Sequence, residues 1–151
     1  MSRAALLNRP LDAASLQAEV SAPGAGALSL FVGTVRDTNA GRVVSGIEYS
    51  AYATMALREL HAIVAEAEQQ YAGVHIVVEH RVGTLAIGEA SVVVATSHAH
   101  RAEAMEACRY VVEALKARVP IWKCEHYVDG TRAWVHGGSR AASSETAGRV
   151  P

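Results

Sequence analysis

The run over residues 90–96, Ala-Ser-Val-Val-Val-Ala-Thr, barely alternates between apolar and polar side chains, which marks a strand inside a sheet, not at its edge. Such a strand needs neighbours. Residues 27–35 and 74–82 are apolar and partly β-branched, and 43–52 is a further extended stretch. Asp37-Thr38-Asn39-Ala40-Gly41 supplies turn chemistry, so 27–35 and 43–52 are expected to form a hairpin. Pro120 ends any helix before it, and 121–127 and 132–135 read as two more strands joined across Asp129-Gly130, a favoured tight-turn dipeptide.

Three segments carry a helical period instead. In 54–71 the apolar positions Leu57, Leu60, Val64, Ala67 and Tyr71 recur at steps of three and four. In 101–117 the corresponding face is Met105, Cys108, Val112 and Leu115. A shorter helix over 10–20 has Asp12 available as a cap, and Pro23-Gly24-Ala25-Gly26 breaks the chain beyond it. Helices interspersed with short strands and hairpins predict an α+β fold more than a strict βαβ repeat. The chain has 151 residues, half of them hydrophobic, enough for one domain over 1–151 that buries its own core. The tail from Gly137, rich in Ala, Ser and Gly, is expected to be mobile.

A formal net charge of -1 gives no global reason to expect nucleic acid or an anionic membrane as partner, so any anion site must be local. Cys108 and Cys124 form neither a disulfide framework nor a zinc-type spacing. The apolar run at residues 1–7 is too short for a signal peptide, and no stretch is long enough to span a bilayer. These features predict a soluble, reduced, cytoplasmic protein. Gly24 and Gly26 lack the rest of a dinucleotide fingerprint, which argues against a nucleotide cofactor.

The candidate chemistry lies in basic residues near element boundaries. His100 and Arg101 stand where a strand gives way to a helix, and free N–H groups at a helix start beside an Arg suit a phosphate. Arg36 closes a strand. Lys116 and Lys123 flank Val119-Pro120, and a reversal there can bring both ammonium groups to one pocket, where each lowers the other's pKa. Taken singly, each of these also fits a solvated surface cation. His98, His100 and His126, with Cys124, permit a zinc-like set without any recognised ligand spacing. Cys108 falls on an apolar helix face and reads as packing.

Taken together and in order, several motifs become specific: Phe31-Val32-Gly33-Thr34-Val35-Arg36-Asp37, Tyr49 with Ala51-Tyr52 and Met55, His80-Arg81-Val82-Gly83 with Ile87-Gly88-Glu89, Ser97-His98-Ala99-His100-Arg101, and Leu115-Lys116-Ala117-Arg118-Val119-Pro120-Ile121-Trp122-Lys123. Over about residues 27–136 the chain resembles the large, catalytic subunit family of molybdopterin synthase (MoaE). The resemblance implies an α/β hammerhead-type domain with an additional antiparallel β-subdomain. It also implies a homodimer that binds a small ubiquitin-like sulfur-carrier subunit at each end, as a heterotetramer. The carrier's Gly-Gly tail would bring a thiocarboxylate, and cyclic pyranopterin monophosphate would receive two sulfurs to become the molybdopterin dithiolene. No metal or other cofactor is implied for the enzyme itself. Carried onto this chain, Lys116 is the main catalytic lysine and Lys123 supports it, with Cys124 and Glu125 beside it. Thr34, Val35, Arg36, His100 and Arg101 would line the site for the phosphate-bearing pterin.

Cys124 stands where the family usually has Lys or Arg, and a thiol at a sulfur-transfer site opens a relay role for it. Two rival readings remain at this point. One is a metal-dependent hydrolase built on His98, His100 and His126, and the other is a non-catalytic module in which the same cations merely hold an anion.

Overall fold

The run that fails to alternate does so because it is covered on both sides. A computed structural model describes residues 2–136, and in it this run is the strand Ala90–His98 (β7). Its neighbours in one four-stranded sheet are Ser2–Leu7 (β1), His75–Arg81 (β5) and Ala27–Thr34 (β2), in the order β1-β5-β7-β2. β1 runs parallel to β5, while β5 and β2 run antiparallel to β7. Val92 and Val94 enter the core beneath two long helices, Ala53–Gln70 (α2) and Arg101–Arg118 (α3). Val93 and Ala95 face the other way, against Leu16 and Val20 of the short helix Ala13–Val20 (α1). Helices thus cover both faces of this sheet, and each fully buried side chain such as Leu60 or Ile63 contributes about 1.5–3 kcal/mol.

The helices follow their sequence periods with one rotation. α1 begins one residue after Asp12, whose carboxylate accepts the Ser15 N–H. α2 buries Ala56, Leu60, Ile63, Val64 and Ala67. In α3 the buried face is Ala104, Ala107, Cys108, Val111 and Leu115, and Met105 is 61% exposed, so the stripe expected through Met105 is turned toward small residues. Alanines let the helix sit close on the sheet, which a row of longer side chains would prevent. The helix closes with the Val119 N–H on the Leu115 carbonyl, and Pro120 then sends the chain back as a strand.

A second sheet holds Thr38–Asn39 (β3), Arg42–Ala51 (β4), Ile121–Tyr127 (β8) and Arg132–His136 (β9) in that order, with Gly83–Ala86 (β6) on β4. Here the expected hairpin is corrected. β4 pairs with the two-residue β3, while β2 pairs with β7 in the other sheet. The turn residues Ala40 (φ 51) and Gly41 (φ 80) are both left-handed, which closes a tight hairpin inside the stretch expected to be only a loop. β8 and β9 are joined across Asp129-Gly130 as expected, with Gly130 at φ 90. The two sheets connect where β5 passes through Val82 into β6. Gly83 makes that corner at φ 101, pressed against the Asn8 side chain. Among the described residues, no helix is long and apolar enough to cross a membrane.

Candidate functional site

The chain contains two lysines, and the fold brings both to one cleft. Lys116 lies in the last turn of α3 and Lys123 is the third residue of β8; the reversal at Val119-Pro120 turns the second back toward the first. Across the second sheet Lys123 pairs with Tyr49 of β4. The cleft, about 180 Å³, is also lined by Thr34, Arg36, Asn39, Ser91 and Glu125. Side chains alternate along β8, so Lys123 and Glu125 face the cleft while Cys124 faces away.

A carboxylate organises the wall. Glu125 is 2% exposed, and both its oxygens accept from Asn39 Nδ2, at 2.7 and 3.0 Å. The Tyr127 hydroxyl donates to it at 2.8 Å, and the Lys123 ammonium stands 3.4 Å away. Burial works against its ionised form, but the bonds from Asn39 and Tyr127, with the nearby Lys123 charge, outweigh it and hold the carboxyl below the usual glutamate range. Asn39 in turn accepts from Arg36 at 3.5 Å, so β3 holds that arginine, on the segment between β2 and β3, at the cleft mouth.

Lys116 is exposed by surface area, yet its ammonium lies between walls that displace water. That desolvation, followed by repulsion from Lys123, pulls its pKa below the ordinary lysine value. Beneath it lies a smaller cavity reached by Tyr49, His80 and both lysines. Burial raises the Tyr49 phenol's pKa, and burial pushes His80 down to about 4. Three cations, Arg36, Lys116 and Lys123, thus face one carboxylate, an arrangement suited to holding anions and to donating a proton from Lys116 more readily than from an ordinary lysine.

Not every residue expected at the site is in the cleft of one chain. Thr34, Arg36, Lys116, Lys123 and Glu125 are. Val35 is 3% exposed in an apolar cluster with Val44, Ile47 and Leu85, and its backbone N–H and carbonyl are both taken, by Glu89 and Gly88. Cys124 is fully buried, and desolvation raises its thiol pKa, which suppresses the thiolate that a sulfur relay needs. His100 and Arg101 are exposed at the N-terminal end of α3, about 22 Å from Lys116 by the helical rise over fifteen residues.

The histidines do not form a metal set. His98 directs Nε2 at the Ala72 carbonyl and accepts the His100 N–H on Nδ1, while His126 lies on the other sheet. Among the described residues, no group of three or more His, Cys, Asp or Glu is placed to hold a metal ion. Sequence reasoning passed over Asn39, Tyr49, His80 and Ser91 as site residues. Strand alternation places Tyr49, but only once its pairing with Lys123 is known.

Two sheets joined at a glycine corner, with a lysine-bearing cleft at the end of the longest helix pair, define a mixed α+β protein with a cleft lined by three cations. A family model described as MoaE protein matches residues 6–118, and the chain belongs to that family. A "Molybdopterin synthase catalytic subunit" of Oryza sativa subsp. indica is 51% identical over 120 residues, 80% of this chain and 62% of the rice protein. This chain therefore spans less than two thirds of that relative's length. "Molybdopterin synthase catalytic subunit 1" of Mycobacterium tuberculosis is 45% identical over 130 residues, covering 86% of this chain and 88% of its own. Among solved structures, a molybdopterin synthase from Staphylococcus aureus superposes with a TM-score of 0.81 at 32% identity, over 85% of this chain and 93% of that one. The family match ends before β8, so Lys116 lies within it and Lys123 beyond it.

Proposed function

We propose that this chain is the catalytic subunit of a molybdopterin synthase. In this reading it moves sulfur from the C-terminal thiocarboxylate of a small ubiquitin-like carrier onto cyclic pyranopterin monophosphate, forming the molybdopterin dithiolene. The observation that carries the reading is the meeting of the chain's two lysines in one cleft, with Arg36 at its mouth. Both reactants are anions, so bringing them together costs electrostatic repulsion that fixed cations offset. Lys116 is the catalytic group: its lowered pKa suits an ammonium that protonates a leaving oxygen or stabilises charge at the thioacyl carbon. Lys123, tethered by Glu125, supports it, and Thr34 and Arg36 hold the substrate.

His100 and Arg101 lie too far along α3 to serve the same cleft, and we assign them to the cleft of a second copy. Self-association is supported by β2, an edge strand that exposes Leu28, Leu30 and Val32. We further read the fold as one domain of α/β hammerhead type, with the sheet containing β4 and β8 as its antiparallel β-subdomain. Two free, buried cysteines suit the reducing cytoplasm.

The test is reconstitution of the chain with a thiocarboxylated carrier and the cyclic pterin, followed by assay for the dithiolene. Lys116→Ala is expected to lower turnover by at least about 100-fold while pterin binding largely survives. A wild-type chain that binds the pterin but transfers no sulfur would instead be an anion-binding module.

A further inference from the structure

Under the cleft, the row Ile76, Val78, His80 on β5 ends in a polar ring. Ile76 and Val78 belong to the core beneath α2 and α3, and His80, two residues on, shares their face of the strand. An imidazole buried to 3% exposure is costly unless its nitrogens are used. Nδ1 lies 2.8 Å from the Arg81 carbonyl oxygen, which can only accept, so Nδ1 carries the proton and Nε2 the lone pair. The ring meets Tyr49 edge-on, with centroids 5.4 Å apart.

Together with Tyr49, Lys116 and Lys123, the ring borders the small cavity of about 20 Å³, a space the size of one water molecule. Ammonium groups only donate. Among the described side chains lining this space, the acceptors are therefore the imidazole and the Tyr49 hydroxyl, which also bonds Ser91.

We propose that His80 is a positioning residue for Lys116: Nε2 accepts from the Lys116 ammonium, directly or through one water in the cavity, and fixes where the lysine head stands. Desolvation keeps the ring neutral down to about pH 4, against the opposing bond to Arg81 and aided by the Lys116 charge. The ring is therefore an acceptor throughout the neutral range and not a store for protons. The other charged or titratable groups facing Lys116 are Arg36 after β2, Tyr49 on β4, and Lys123 and Glu125 on β8. Arg36 and Glu125 do not border the cavity on the floor, and of the groups that do, Lys123 only donates, which leaves the imidazole and the Tyr49 hydroxyl as acceptors there.

Only the kinetic consequence rests on the sulfur-transfer reading, so the test has two arms in the full-length chain. His80→Asn keeps an amide near Nδ1 for the Arg81 carbonyl but leaves nothing at Nε2; His80→Gln places an amide oxygen near Nε2. With lysines labelled at 13Cε, the chain gives two signals, and Lys116→Met assigns them. Losing an acceptor disfavours the ammonium, so the Lys116 titration should move to lower pH in His80→Asn and stay at the wild-type position in His80→Gln. In reconstituted enzyme, His80→Asn should lose about tenfold in kcat with KM for the pterin within about twofold, and His80→Gln should recover most of it.

A purely structural role reverses the order, with asparagine the better substitute, and overturns the proposal. So does a Lys116 titration that is the same in all three proteins. If either variant fails to fold, 15N spectra of wild-type His80 decide: a proton on Nδ1 supports the assignment and a proton on Nε2 refutes it. Absence of dithiolene formation by the wild type counts against the proposed function, while the titration still judges His80.

Discussion

Asn39→Ala removes the side chain that donates to both oxygens of Glu125, at 2.7 and 3.0 Å, and tests whether this carboxylate ties the β3–β4 turn to β8. A hydrogen bond to a charged group contributes about 1.5–3 kcal/mol, and one amide serving a carboxylate that is 2% exposed falls inside that range, near 2 kcal/mol. For a chain of this size that corresponds to a fall in Tm of roughly 4–8 °C. The sign of the pH dependence follows from the lowered pKa of Glu125. Its contribution is complete above the unfolded value of about 4.3 and is lost as pH falls through the folded value. The gap between variant and wild type should therefore be widest near pH 7 and narrow in acid. Urea unfolding followed by circular dichroism, at pH 7 and at the lowest pH where wild type still unfolds in two states, measures both. In a Glu125→Gln background the same substitution should cost less, because the charge it serves is gone. A penalty below about 0.5 kcal/mol, or one that is equal at both pH values, refutes the reasoning.

Cys124→Ser should transfer sulfur within about twofold of wild type while losing roughly 1–3 kcal/mol of stability, since a hydroxyl replaces a fully buried thiol; loss of turnover in a folded variant would restore the relay role. Gly83→Ala should cost roughly 1–3 kcal/mol through its φ of 101 and its contact with Asn8, and truncating Asn8 as well should recover only the contact part. Thermal melts of the single and double variants separate the two, and full recovery in the double variant would show that the backbone carries no strain.

Much of the architecture was legible along the chain. β8 has the bounds that Pro120 and Asp129-Gly130 suggest, and α3 differs from its sequence-based range by one residue. What escaped was non-local. β1 reads in isolation as a short apolar run, and only its parallel pairing with β5, more than seventy residues on, makes it a strand. The hairpin expected between β2 and β4 failed because both look like half-buried strands joined by turn residues, and nothing local says that they belong to different sheets. Lys116, Lys123 and Arg36 were legible through the family resemblance, because taken singly each fits a solvated surface cation equally well. A sharper signal went unread: of the fourteen basic residues only two are lysines, and they lie seven positions apart. His80 and Asn39 were invisible because their roles depend on which atoms face them across strands.

The outward turn of Cys124 bears on how a reactive sulfur is handled. Both cysteines of the chain are buried, Cys108 beneath α3 and Cys124 behind β8, so neither thiol lines the cleft, and a thiocarboxylate placed between the lysines, as the proposed function requires, would meet no thiol there. Under the proposed function, a cleft built this way would keep its cargo from capture by the protein's own cysteines and leave the incoming acceptor as the destination of the sulfur.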